Sequence, residues 1–268
     1  MEQIRPPAVA GMFYPDDPDE LRSQIRAYLR QASPRQSADD LRALIVPHAG
    51  YVYSGPVAAS AYRLLEPLRK RIHRVALFGP AHRVAFRGLA LSSASHFRTP
   101  LGKVPLAQDM AQRLLAHPQV QVMDQAHARE HSLEVQLPFL QMLLDDFSLI
   151  PVVVGETSAE TVAEVMEDLW NEPGLLLVVS SDLSHYHDYQ TARHMDSATS
   201  QAIEALQPEH IGHDQACGRT PLNGLLLLAR RHGLRAVTLD QRNSGDTAGP
   251  PDRVVGYGAY ALLTQQAA

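Results

Sequence analysis

Three apolar segments of the sequence run directly into side chains that can bind a metal or move a proton. His48 follows Leu44-Ile45-Val46 and a proline, His82 follows Val75-Ala76-Leu77-Phe78-Gly79 and a Pro-Ala pair, and Asp182 and His185 follow Leu175-Leu176-Leu177-Val178-Val179 and two serines. Such runs read as buried strands. Ligands of open α/β sheets bind outside the carboxyl ends of the strands, so side chains far apart in sequence can converge at these exits. Neutral imidazole binds iron, copper, zinc or nickel, and Gly50, Gly55 and Gly79 leave room for turns that aim the rings at a common point. A single histidine at a strand end is more often a hydrogen-bonded structural residue; repetition at equivalent exits is what points to a metal.

Cys217, the one cysteine, stands in Asp214-Gln-Ala-Cys-Gly-Arg-Thr-Pro221 just before an expected helix. Proximity to the amide-rich helix start would lower its pKa and favour thiolate ligation or redox chemistry, whereas the alternative fate is a small buried hydrophobe. Glu130, His131 and Glu134 are spaced to share one helical face, in a capping or supporting role beside the site. His185 and His187 would point to one face of a strand, and a surface role for His187 is at least as good a reading. His73, His96, His117, His127, His194, His210, His213 and His232 are expected in loops or on solvated helix faces. Neither zinc-protease spacing, H-E-x-x-H or H-x-x-E-H, is present, and the G-x-S-x-G elbow and the Walker A sequence are also missing.

Behind the exits, short β-rich runs alternate with helical patterns. This predicts an α/β fold, a central and mostly parallel sheet flanked by helices, as one domain over residues 1–268. The first helix should open at Asp17-Pro18-Asp19-Glu20, where an Asp N-cap, a Pro at the first helical position and a Glu at the third suit the opening turn. Residues 30–40, polar and containing Pro34, read as a loop. Strands are expected over 41–46, 74–78, 149–154 and 175–179, near 236–239 and over 254–262. Helices are expected over 56–65, 106–117, 130–144 with Pro138 forcing a start or kink, 189–206 and 221–232. A further helix should be capped by Thr157 with Glu160.

Composition narrows the function. The chain has 268 residues, 45% of them hydrophobic, enough for a sizeable core. A net charge of −5 removes the basic field that nonspecific nucleic-acid or anionic-membrane binding would use. A single cysteine excludes an intramolecular disulfide and sites built from several thiolates. The opening MEQIRPPAVAGMFYP lacks the apolar stretch of a signal peptide, and no apolar run approaches the ~20 residues of a membrane span. A cytoplasmic location is the expectation.

Assembled in order, PHAGYVYSG from Pro47, FGPAH from Phe78, TPLG from Thr99, EHSLEVQLPFL from Glu130, SSDLSHY from Ser180 and ACGRTP from Ala216 resemble the Memo family, also described as the B component of the AmmeMemoRadiSam system. The resemblance implies a fold similar to the class III extradiol dioxygenases, which bind non-haem Fe(II) through two histidines and a glutamate, with a further histidine as acid/base. Carried over by motif, His48 and His82 would be the imidazole ligands, Cys217 would stand in place of the glutamate, and His185 would be the acid/base residue with Asp182 beside it. Memo proteins are further implicated in copper or iron binding and redox chemistry, and the animal member in binding phosphotyrosine peptides and in cell motility. A thiolate in the carboxylate position shifts preference toward softer ions such as Cu(I) or Zn(II), so dioxygenase activity does not come with the fold.

The leading expectation is a redox-active iron(II) or copper site, with zinc as the third candidate ion and a small molecule or O2 as its partner. A second reading is a non-enzymatic module that captures an anionic peptide or small molecule, with Arg83 and Arg219 supplying charge-assisted hydrogen bonds. A third is extradiol-type ring cleavage.

Overall fold

A computed structural model describes residues 3–33 and 36–265; Pro34, expected within a loop, lies outside them. In chain order the elements are β1 (Ile4–Arg5), α1 (Pro18–Gln31), β2 (Leu41–Val46), α2 (Tyr51–Tyr62), β3 (Arg74–Pro80), β4 (Leu89–Leu91), β5 (His96–Thr99), β6 (Gly102–Pro105), α3 (Gln108–Leu114) and β7 (Val120–Val122). There follow α4 (Asp124–Ala128), α5 (Leu137–Leu143), β8 (Ser148–Val154), α6 (Ala159–Leu169), β9 (Leu175–Ser180), β10 (His185–His187), α7 (Tyr189–Glu204), α8 (Arg219–Arg231), β11 (Leu234–Asn243) and β12 (Val254–Thr264).

The large sheet runs β10-β12-β2-β9-β3-β8-β4-β7, with β11 paired to β12. Its centre, β2-β9-β3-β8, is parallel as the sequence predicts. Antiparallel pairing joins β12 to β2 on one side and β4 to β8 on the other, which makes the whole sheet mixed. A small second sheet pairs β1 with β5 and β5 with β6.

The central strands are apolar on both faces because helices cover both. Alternate residues feed two cores: Leu44, Val46, Val75, Leu77, Leu176 and Val178 pack toward α1, α2 and α5. Ala43, Ile45, Ala76, Phe78, Leu177 and Val179 pack toward α3, α6 and α8. The chain passes from β2 to β3 through α2 in the first layer and from β8 to β9 through α6 in the second. Opposed crossovers of this kind open a crevice at the carboxyl ends of the strands between them.

Local chemistry sets the boundaries. Asp17 caps α1 as expected, accepting from the amides of Asp19 and Glu20. The cap of α6 is Ser158 rather than Thr157, its side chain accepting from the Thr161 amide. α2 begins at Tyr51, five residues before Pro56, which the helix accommodates in its second turn. The helix expected over 130–144 is broken: Glu134–Gln136 is a 3-10 turn, and α5 starts only at Leu137, with Pro138 in its first turn. Glu130 and His131 therefore precede the helix and share no helical face with Glu134. No described helix is long and apolar enough to cross a membrane.

Candidate metal centre

Three exits of the parallel sheet place the site. β9 lies between β2 and β3, so Asp182, two residues beyond β9, is flanked by His48, two beyond β2, and His82, two beyond β3. The His48 amide donates to Asp182 Oδ1 at 2.7 Å, which ties the first two exits together. Cys217 closes the group from the loop before α8, and His185 enters from β10. All five line one cleft of about 790 Å³, so the structure brings together every site residue expected from sequence.

The hydrogen bonds fix the imidazole tautomers. Ser180 Oγ donates its single proton to the Ser132 carbonyl at 2.6 Å and accepts from Gln136 Nε2 at 2.8 Å. Toward His48 Nδ1, 2.9 Å away, that hydroxyl can only accept. His48 therefore carries its proton on Nδ1, leaving Nε2 as a free lone pair 3.3 Å from Cys217 Sγ. Burial, followed by repulsion from His82, lowers the His48 pKa to about 3, so the ring is neutral and competent as a ligand.

His82 is oriented in the same way by an acid. Its Nδ1 lies 3.0 Å from Glu130 Oε1 and its amide donates to Glu130 Oε2 at 2.6 Å. The amides of His131 and Ser132 also donate to Glu130 Oε1, each at 2.9 Å. Burial alone would raise the Glu130 pKa, but the His82 ring and amide and the Ser132 amide outweigh it and bring the pKa to about 2. The carboxylate is thus an acceptor that puts the His82 proton on Nδ1 and leaves Nε2 free, the support that metal-ligating imidazoles commonly have.

The third imidazole of the cluster is His131. One donor atom from each of His48, His82 and His131 lies within 4.8 Å of the others. The His131 ring sits 4.8 Å from that of His82 and 5.5 Å from that of His48, with Phe13 packed on it at 4.9 Å. Burial and the neighbouring His48 lower its pKa to about 4. Its Nδ1 is buried without a hydrogen-bond partner, although Glu130 Oε1 lies 3.3 Å away outside bonding geometry. Sequence reasoning gave His131 only a supporting role; the adjacent, ionised Glu130 was the signal available.

For Cys217 the lowered-pKa alternative does not hold. α8 begins two residues later, yet burial, followed by the nearby Asp182 carboxylate, pushes the thiol pKa up to about 12. The helix start does not offset these two effects. The Asp182 amide points at the sulfur from 3.3 Å, and the neutral thiol is placed to donate to His48 Nε2. Burial likewise raises the Asp182 pKa, against the lowering influence of His185 and the His48 amide.

His185 Nδ1 donates to the Leu183 carbonyl at 2.8 Å, so its Nε2 is the proton-accepting atom. Tyr186 adopts a left-handed backbone, φ 64°, and with it both His185 and His187 and the tyrosine itself line the cleft. One of the histidines expected at the surface belongs elsewhere: His127 is buried, its Nε2 2.9 Å from the Ala90 carbonyl. His213 is exposed in its loop, as expected, and also lines the cleft.

Fold and site together define an α/β protein with a histidine cleft at the exits of its parallel strands. The Memo-like protein family model matches residues 5–261. A MEMO1 family protein of Saccharolobus solfataricus is 35% identical, over 94% of this chain and 97% of its own. A MEMO1 family protein of Aquifex aeolicus is 34% identical, over 95% of this chain and 97% of its own. This chain belongs to the Memo family. The crystal structure of an uncharacterized protein from Escherichia coli K12 shares the fold, with TM-score 0.51 and 13% identity over 81% of this chain and 99% of that one.

Proposed function

We propose that this Memo-family chain holds a redox-active transition metal ion, iron(II) or copper, in the histidine cleft. The observation that supports the reading is the gathering of donor atoms from His48, His82 and His131 within 4.8 Å of one another. In this reading His48 and His82 ligate through Nε2, with Cys217 as the thiolate and His131 as a further imidazole.

The donors suit such an ion. Metal bonds of about 2.05 Å to nitrogen and 2.3 Å to sulfur set the two ligand atoms about 3.1 Å apart at a right angle and about 3.6 Å apart at a tetrahedral one. The 3.3 Å between His48 Nε2 and Cys217 Sγ lies inside that interval. The unpartnered His131 Nδ1 is a second fit, a buried polar atom in need of a partner. Mixed imidazole and thiolate donors also accept zinc, the third candidate.

Iron or copper would supply electron transfer and O2 chemistry when bound. The chain's own groups hold and orient. Ser180 and Glu130 fix the rings of His48 and His82, and Asp182 anchors the His48 amide. His185 Nε2 is free to take a proton from a substrate in the cleft. The cleft volume of about 790 Å³ accommodates a small organic substrate or O2.

Element analysis tests this on protein purified anaerobically without an affinity metal column. Stoichiometric iron or copper is expected in the native chain and its loss in His48→Ala and His82→Ala. Cys217→Ser should weaken retention, most for the softer Cu(I). A native chain that carries no metal and takes up none of Fe(II), Cu(I) or Zn(II) contradicts the reading.

A further inference from the structure

A second cavity of about 660 Å³ adjoins the histidine cleft, and Cys217 and His213 line both. It opens where β3 and β8 end and α8 begins, with Val84, Phe86, Val154 and Pro221 forming its apolar wall. Its charged lining is Arg87, Glu156 and Arg219. Arg87 Nε lies 3.5 Å from Glu156 Oε2, so these two offset each other. Arg219 has no carboxylate partner among the described residues. Its Nη2 donates to His213 Nε2 at 2.6 Å, which holds the guanidinium in place and leaves its other N–H groups for a ligand. Arg83, the other arginine considered from sequence, lines neither cavity.

We propose that this second cavity binds a small organic monocarboxylate, with Arg219 as its counter-ion and the Val84–Phe86–Pro221 wall receiving its apolar body. The charge decides the class. Two arginines against one glutamate leave one net positive charge, which suits a monoanion, and Glu156 repels the second charge of a phosphate ester. A guanidinium pairs with a planar carboxylate through two parallel hydrogen bonds, a geometry that one held arginine provides without a helper. Because the two cavities share Cys217, the anion would lie beside the histidine cleft while leaving it open to a second molecule. The inference does not depend on the metal reading, since none of its charged residues belongs to the histidine cluster.

The test is calorimetric titration of the full chain, stripped with chelator, using 3-phenylpropanoate and the neutral 3-phenylpropanamide as probes. The carboxylate should bind about tenfold more tightly than the amide, the scale of one charge-assisted pair. Arg219→Gln should erase that preference and Arg219→Lys should keep part of it, with an unchanged urea midpoint showing that both variants fold. Arg253 lines the histidine cleft and not the second cavity, so Arg253→Gln should leave the preference intact. Absence of binding, equal binding of the two probes, a preference that survives Arg219→Gln, or one lost in Arg253→Gln would each overturn the proposal.

Discussion

Arg5 and Glu134 form a buried ion pair, Nη1 to Oε2 at 2.5 Å, that fastens the start of the chain beneath the histidine cluster. Arg5 also donates to the carbonyls of His127 at 2.8 Å and Glu130 at 2.6 Å, while Glu134 accepts from the Ala8 and Val9 amides and from the Tyr14 hydroxyl. The pair therefore joins two segments that both reach the cleft. One carries Phe13, packed on the His131 ring, and the other carries Glu130 and His131 themselves.

Removing one member of this pair should be costly. Glu134→Ala would leave the Arg5 guanidinium buried without a counter-charge, an effect of about 3–5 kcal/mol. Urea unfolding should show that loss, and metal retention should fall with it because the Glu130 loop is no longer held. The double variant Arg5→Met/Glu134→Leu should cost far less than the two single variants summed. A Glu134→Ala loss of less than about 1 kcal/mol would mean that water replaces the pair.

Stability should fall as the solution is acidified from about pH 6.5. Burial lowers the His127 pKa to about 4 in the folded chain, against about 6.5 when unfolded, so between these values the unfolded chain binds the extra proton. The contribution is complete above pH 6.5 and is lost as pH falls to about 4, at up to about 1.4 kcal/mol per pH unit. Glu130, held down to about 2, extends the loss below its unfolded pKa near 4.5. Urea midpoints between pH 7.5 and 4 should decline more shallowly in His127→Gln than in the native chain; identical slopes would show that His127 takes no part.

The strand exits were legible because strands covered on both faces leave unbroken apolar runs, and the first titratable residues after Val46, Phe78 and Val179 stand out against them. His131 was not, because residues 130–144 fit a helical period, whereas the chain at His131 is not helical and its ring joins those of His48 and His82 ahead of the 3-10 turn at Glu134–Gln136. The lowered thiol pKa expected of Cys217 failed for a related reason. A helix start is visible in sequence, whereas burial against Asp182 depends on how β9 and the 207–218 loop meet. His127 sits on a five-residue helix too short to show which side is buried.

Gly218 controls the distance between Cys217 and the cluster. A Cβ there would stand 2.7 Å from the Ser180 carbonyl oxygen and 2.7 Å from Ser181 Cβ, and neither can swing away as a long side chain could. Gly218→Ala should therefore push the Cys217 loop off β9, stretch the contact with His48 Nε2, and cost about 1–3 kcal/mol. Cys217 is the sole cysteine, so its rate of alkylation by iodoacetamide reports the displacement directly. The rate should rise in Gly218→Ala; an unchanged rate would show that the loop absorbs the methyl group elsewhere.

Glu130→Gln separates support of the cluster from ligation. Glu130 accepts four hydrogen bonds, from the His82 ring, the His82 amide and the amides of His131 and Ser132. An amide in its place turns an NH2 toward some of these donors and removes the charge that polarises the His82 ring. Loss of such outer support usually weakens metal affinity about 10–100-fold while leaving the ligands in place. Competition against a chromophoric chelator should show that loss in Glu130→Gln, with stoichiometry unchanged at saturating metal. A fall in stoichiometry would make Glu130 a ligand itself, and unaltered affinity would mean that the carboxylate serves only to tie the His82 exit to its own loop.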